Sequence, residues 1–266
     1  MIAIPFTKAH GAGNDFLLTW AAEAPLHDFP AVARAMCDRH TGIGADGWIV
    51  IDGLSIRLFN ADGSEAEISG NGTRCAAALL VEAGRVHGEF DIATGAGAKR
   101  LRLIEHHGKH FLFEMNMGQP RWREDQVRYS LPLSSGAREV AILDVGNPQS
   151  ACLVDRIPEN WREVGAEIEA HSFFPKRTNV SFVRPIDEHT IEARFFERGA
   201  GATLSSGTGS TGAAVAAILR GAAKSPVRVV TEAGDLLLRW DESVYLTGPA
   251  VIIGAGEMYL PARESN

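Results

Sequence analysis

Short runs dominated by β-branched and aromatic residues recur along the chain: Ile56–Asn60, Phe111–Met115, Asn179–Val183 and Ile191–Phe196. Their length and composition predict strands. Two other segments, Asn71–Glu82 and Thr208–Leu219, are rich in Ala and Leu and nearly free of charge. High helix propensity without a polar face predicts two helices buried on all sides. A central helix wrapped by strands is the architecture that buries such a helix.

The two helices are copies. At a constant offset of 137 residues, Arg57-Leu58-Phe59 matches Arg194-Phe195-Phe196, and Ser69-Gly70-Asn71-Gly72 matches Ser206-Gly207-Thr208-Gly209. Ala76-Ala77 matches Ala213-Ala214, and Thr94 matches Thr231, in the same register. A weaker echo at a slightly different offset pairs Gly13-Asn14 with Gly146-Asn147. Self-similarity over such a distance marks a duplicated structural unit. The boundary is expected near Gly118-Gln119-Pro120, where Gly and Pro end a strand pattern and the charged stretch 121–128 follows. The expected halves are 1–117 and 118–249, with 250–266, which includes the strand-like Val251-Ile252-Ile253, returning to complete the first.

Composition narrows the partners. The 266 residues carry a formal net charge of −7 with basic residues scattered, which gives no footprint for nucleic acid or an anionic membrane. No apolar run reaches membrane-span length, and the start of the chain has neither a charged region nor an apolar core of a signal peptide. A cytoplasmic protein is expected. Cys37, Cys75 and Cys152 are odd in number and lack metal-ligand spacing, so neither a disulfide framework nor a structural zinc site is expected. His106, His107 and His110 are taken as solvated, and no metal and no cofactor are called for.

Each Ser-Gly-x-Gly stands where an irregular polar segment enters a helix. That places Ser69 and Ser206 at N-caps, with backbone N–H groups of the first turn open to an anion. Two such turns around one ligand suit a small carboxylic acid. Asn60, Asn179, Glu197 and Arg198 add a polar set: Arg clamps a carboxylate, whereas Glu and Asn take an ammonium. As isolated residues, Glu197 and Arg198 read equally as a surface ion pair. Gly207-Thr208-Gly209-Ser210-Thr211-Gly212 also matches the dinucleotide fingerprint G-x-G-x-x-G, with Glu232 about twenty residues on. The preceding 199–205 is irregular where a strand is required, and Cys75 replaces the last Gly in the other copy, so this reading is set aside.

Several segments together resemble the diaminopimelate epimerase family over essentially the whole chain. They are His10-Gly11-Ala12-Gly13-Asn14-Asp15-Phe16, Gly42-Ile43-Gly44-Ala45-Asp46-Gly47, Phe59-Asn60-Ala61-Asp62-Gly63-Ser64-Glu65, Gly70-Asn71-Gly72-Thr73-Arg74-Cys75, Pro175-Lys176-Arg177-Thr178-Asn179-Val180 and Glu197-Arg198-Gly199-Ala200-Gly201. The resemblance implies an α/β (α+β) fold of two pseudo-symmetric halves, each a mostly antiparallel sheet or barrel around a central helix, with the active site in the cleft between them. It implies a cofactor-independent isomerase that inverts an amino-acid α-carbon, here interconverting LL- and meso-diaminopimelate for lysine and cell-wall precursor synthesis, and a homodimer. The implied substrate-binding residues are Asn14, Asn60, Gly70, Asn71, Asn147, Asn179, Glu197, Arg198, Gly207 and Thr208.

In such enzymes a cysteine thiolate takes the α-proton from one face and a second cysteine delivers one from the other. Those positions are Ser69 and Ser206 here, and the family's neighbouring His and Glu read Gln149 and Ala202. A thiol with a pKa of about 8.5 supplies some thiolate at neutral pH, whereas a hydroxyl needs an activating base. Cys75, within the helix, is expected to be a buried small hydrophobe. Ser69 and Ser206 are therefore the candidate acid/base pair, with Gln149 and Glu197 supporting them. Two other readings stay open: a related hydroxyproline epimerase or dehydratase, and a binding homologue impaired in catalysis.

Overall fold

In both repeats a serine starts, and a glycine in the left-handed region stops, one helix of identical length, and the strands are arranged around these two helices. The computed structural model describes residues 2–25 and 28–260, so residues 261–266 of the expected returning segment lie outside the described residues. The chain divides into two units, one running through Phe113 and again from Pro249, the other spanning Glu114–Gly248.

In the first unit, β1 (Ile2–Gly11) and β2 (Asn14–Trp20) form an antiparallel hairpin. A helix, α1 (Phe29–Cys37), leads to β3 (Gly47–Asp52), which lies parallel to β2. Then β4 (Ser55–Asn60) and the short β5 (Glu65–Ala66) add antiparallel neighbours. After α2 (Gly70–Glu82), β6 (Glu89–Thr94) returns parallel to β4 and pairs with β7 (Gly97–His107), and β8 (His110–Gly118) follows. The C-terminal strand, Val244–Leu260, pairs antiparallel with β1 from Val251 onward, Val251 opposite His10 and Ile252 opposite Ala9.

The second unit repeats this order. After β9 (Arg121–Trp122) and β10 (Tyr129–Leu131), β11 (Arg138–Asp144) and β12 (Pro148–Leu153) form the hairpin. Then α3 (Trp161–Glu169) leads to β13 (Asn179–Asp187), parallel to β12. Next come β14 (Thr190–Glu197), β15 (Gly201–Thr203), α4 (Gly207–Leu219), β16 (Val227–Thr231) and β17 (Gly234–Trp240), in the same senses as their counterparts. The two-half α/β fold with a central helix is thus observed unit by unit. The two offsets also acquire a cause. Trp48 faces Phe59 across β3 and β4, whereas Val180 faces Phe196 across β13 and β14. The second hairpin is longer, so the register slips between the Gly-Asn turns and the helices.

Burial explains both helix classes. Every residue of α2 from Gly70 to Leu80, and of α4 from Gly207 to Ala217, is buried, as Ala-rich segments nearly free of charge demand, Arg74 being the one charged residue among them. Both stop alike: Gly84 (φ +66°) and Gly221 (φ +69°) follow the last turn, and Arg85 N and Ala222 N reach back to Leu80 O and Ala217 O. By contrast, α1 and α3 are amphipathic. Val32, Ala33 and Met36 pack with Leu17, Trp48 and Phe59, while Trp161, Val164 and Ile168 pack with Cys152, Val180 and Phe182.

One sequence expectation needs correction. The stretch 199–205 is not wholly irregular, because Gly201–Thr203 pairs with β14, Phe195 opposite Thr203. This strand is antiparallel and stops before Leu204-Ser205-Ser206, so it still does not run straight into the glycines as a dinucleotide fold requires. Among the described residues, no helix is long and apolar enough to cross a membrane.

The loop after α1 is the tightest backbone approach in the first unit. A Cβ on Gly42 would lie 2.1 Å from Ala35 O and 2.8 Å from Met36 O. Gly42→Ala is expected to lower stability by about 3 kcal/mol. Gly53→Ala, with open space around it and φ +57°, should lose only about 1 kcal/mol. Urea midpoints of the two variants measure the difference.

Candidate functional site

The two helix starts share one capping geometry. Ser69 Oγ accepts from Gly72 N at 3.1 Å and Ser206 Oγ from Gly209 N at 3.0 Å. Gly209 is required there, since a Cβ would meet Phe195 Cδ1 at 2.7 Å and Ser206 Oγ at 2.9 Å; one on Gly72 would meet Ile49 Cδ1, the end of a side chain that can shift, at 3.0 Å. One first-turn N–H in each helix is therefore taken by the cap rather than left for an anion.

Beyond the caps the two turns differ. Ser206 is 3 % exposed, and its hydroxyl donates to Glu197 Oε2 at 2.9 Å, while Thr203 Oγ1 donates to Glu197 Oε1 at 2.7 Å. A carboxylate that accepts from a hydroxyl can also remove its proton. The residue equivalent to Glu197 in the first unit is Asn60, whose Nδ2 donates to Ser64 Oγ at 2.9 Å within its own turn. An amide is no base; of the two serines, Ser206 is the one whose hydroxyl donates to the carboxylate at this position.

Around α4 the structure joins nearly every residue singled out in the second half. Gln149 and Asn179 stand opposite each other on β12 and β13. Gln149 Nε2 donates to Asn147 Oδ1 at 2.7 Å, and Asn147 Nδ2 donates to Thr208 Oγ1 at 3.3 Å. Asn179 Oδ1 accepts from Arg198 N at 3.0 Å, and Asn179 Nδ2 donates to Pro148 O at 3.0 Å. Arg198 Nη1 reaches Lys176 O at 3.3 Å. Gln149 is fully buried because α4 carries Gly212 beneath it, where a Cβ would meet Gln149 Cγ at 2.9 Å. Its Oε1 is buried without a hydrogen-bond partner.

In the first unit, Asn71 Nδ2 donates to Asn14 Oδ1 at 3.3 Å, and Asn14 Nδ2 donates to Asp46 Oδ2 at 2.6 Å. Asp46 belongs to a charged group that the sequence did not single out. Arg39 Nη2 bridges Asp15 at 2.7 Å and Asp46 at 2.8 Å, and Lys8 Nζ lies 3.1 Å from Asp15. Burial pushes the Asp15 carboxyl up, but hydrogen bonds from Arg39 and Lys8 outweigh it and hold the carboxyl below its ordinary value. Asp15 and Asp46 stand in the segments His10–Phe16 and Gly42–Gly47, but Lys8 and Arg39 lie outside them, so the sequence did not join the four.

No cysteine can stand in for the serines. Burial pushes the thiols of Cys37, Cys75 and Cys152 up to about 12, which leaves almost no thiolate at neutral pH. Among the described residues, no group of three or more His, Cys, Asp or Glu side chains is placed to hold a metal ion.

A family model, diaminopimelate epimerase, matches residues 6–123 and 141–253. The chain is also 38% identical to a diaminopimelate epimerase of Pelotomaculum thermopropionicum, covering 95% of this chain and 98% of that one. The chain belongs to the diaminopimelate epimerase family. A second family member, from Halothermothrix orenii, is 36% identical over 97% of this chain and 98% of its own. Among solved structures, a hydroxyproline epimerase from Agrobacterium vitis shares the fold with a TM-score of 0.74 at 13% identity, covering 98% of this chain and 94% of that one. Within the family fold, the positions expected to hold the two catalytic cysteines are the two serine caps described above.

The Asp15 group gives a test of what holds Asn14 in place. A depressed folded pKa means stability that is fully present above the unfolded value near 3.8 and is lost as pH falls through the lower folded value. Asp15→Asn should lower stability by about 1 kcal/mol at pH 7, allowing for partial solvent screening. Urea unfolding from pH 7 to pH 2.5 should show this gap closing at the acid end; a gap independent of pH would remove the assigned role.

Proposed function

We propose that the chain is a cofactor-independent isomerase that interconverts LL- and meso-diaminopimelate, with Ser206 and Ser69 as the two proton-handling groups. The observation that carries the chemistry is the Ser206 hydroxyl, held between the Glu197 carboxylate at 2.9 Å and the Gly209 N–H at 3.0 Å. The substrate is supported by relatives named diaminopimelate epimerase at 33–38% identity over nearly the whole chain.

In this reading Ser206 Oγ takes the α-proton while its own proton passes to Glu197. The bonding pair of the broken C–H bond stays on the α-carbon and spreads into the substrate carboxylate. On the opposite face Ser69 gives its hydroxyl proton to the carbon, and the Gly72 N–H and the start of α2 stabilise the oxygen left behind. The reverse reaction exchanges the roles, and solvent resets the protons. Asn14, Asn60, Asn147, Asn179, Glu197, Arg198 and the turns Gly70-Asn71 and Gly207-Thr208 would hold the amino-acid groups. The same reading places the enzyme in the cytoplasm, where three unpaired cysteines stay reduced, and expects a homodimer.

Incorporation of solvent deuterium at the α-carbon of LL- and meso-diaminopimelate tests the reaction. Glu197→Gln and Ser206→Ala should each lower the exchange rate by about 10²- to 10⁴-fold. Ser69→Cys with Ser206→Cys should raise it, because a thiol lies several pKa units closer to neutrality than a hydroxyl, at about 1.4 kcal/mol per unit. Binding without exchange in the wild type would mark an impaired homologue, and exchange unaffected by Ser206→Ala would displace Ser206.

A further inference from the structure

Arg74 is fully buried in α2, five residues beyond Ser69, and the proposed chemistry does not use it. Its Nη2 donates to Asn71 Oδ1 at 2.6 Å, Nη1 to Gly70 O at 3.2 Å and Nε to Pro249 O at 3.2 Å. Burial pulls the guanidinium down to about 10, so it stays protonated at neutral pH and can only donate.

This one-way group starts a chain that ends in another. Arg74 donates to Asn71 Oδ1, Asn71 Nδ2 to Asn14 Oδ1, and Asn14 Nδ2 to Asp46 Oδ2. An ionised carboxylate only accepts, and Asp46 accepts from Arg39 Nη2 at 2.8 Å as well. With a donor-only group at one end and an acceptor-only group at the other, neither amide between them can turn over without breaking two hydrogen bonds. The second unit lacks this constraint. There Asn147 lies between the Gln149 amide and the Thr208 hydroxyl, both able to donate or accept, and the position equivalent to Arg74 is Thr211, whose hydroxyl donates to Gly207 O at 2.8 Å.

We propose that Arg74 is a positioning residue: it sets the direction of the chain through Asn71 and Asn14, so that the first unit meets the ligand with its amides in one fixed orientation. Asn147, in contrast, adapts its orientation to the ligand. The inference rests on the reading above in which Asn14 and Asn71 contact the substrate. It assigns Arg74 to binding rather than to proton transfer.

Three variants at one position separate direction from packing. Arg74→Lys keeps a donor-only group, Arg74→Gln offers an amide that works either way, and Arg74→Met offers neither. The side-chain amide signals of Asn14 and Asn71 in ¹⁵N-labelled, ligand-free protein report orientation without any substrate. A single slowly exchanging set for each is expected in the wild type and the Lys variant, and doubled or fast-exchanging sets in the Gln and Met variants. Calorimetry with meso-diaminopimelate should show Kd raised about tenfold in the Gln and Met variants, with kcat within about threefold, and most of the binding restored in the Lys variant. Should Arg74→Gln fail to fold, Asp46→Asn replaces the acceptor-only end by an amide and is expected to double the Asn14 signals and raise Kd likewise.

Unchanged amide signals and Kd in a folded Gln variant, or a Lys variant as defective as Met, overturn the proposal. Loss of kcat at constant Kd overturns it as well. A wild type that binds no diaminopimelate sinks the substrate reading instead, and the ligand-free spectra then decide on Arg74 alone.

Discussion

A serine that caps a helix puts its oxygen where the first-turn N–H groups converge, and in the proposed reaction those are the oxygens that also handle a proton. On that reading the cap and the chemistry draw on one atom. Ser69 Oγ and Ser206 Oγ each accept from the N–H three residues on, which fixes the hydroxyl at the positive end of a helix whose first eleven residues are buried. In the second unit that position needs Gly at 209, and both helices are nearly free of charge, because the strands of each unit surround them. The duplicated fold can be understood as the scaffold that holds two oxygens in this way.

The duplication kept the scaffold but not the surroundings of the oxygen. In the second unit Glu197 and Thr203 complete a carboxylate–hydroxyl pair around Ser206. In the first, Asn60 and Ala66 hold the equivalent positions, and charge is concentrated instead on Asp15, Arg39, Lys8 and Asp46 beside Asn14. One half sets a carboxylate against its serine, whereas the other sets a charged group against its asparagine. This division follows the chemistry of an amino acid, whose two faces and two charged groups do not ask the same of the protein.

Much of the frame was legible in the sequence. α2 and α4 were legible because an Ala-rich run nearly free of charge favours a buried helix, and their serine and glycine boundaries repeat in register. By comparison, α1 and α3 escaped notice, being short and amphipathic, although Asp28 capping Ala31 N with Pro30 in the first turn is a start signal that could have been used for α1. Glu197 was expected to support the serines, but that it meets Ser206 in particular was not legible, since the two come together through the fold of β14, β15 and α4. Arg39, Asp46 and the hydrogen-bonding role of Arg74 were hidden for a further reason: their partners lie on other elements, and pattern along the chain carries no information about which side chains meet.

The path of the C-terminal strand bears on how the molecule is made. β1 pairs with β2 soon after it is made, but its second antiparallel partner, residues 251–260, is synthesised only after the whole second unit. The second unit is built from contiguous chain, with its final stretch Val244–Gly248 following directly on β17. It can therefore mature while the first still exposes the unpaired edge of β1. Pairing across nearly the full chain length is the slow, aggregation-prone kind. During synthesis, the half that contains Ser69 depends on a strand that follows the whole second unit, and a chain broken off before residue 251 would leave that edge open to other chains.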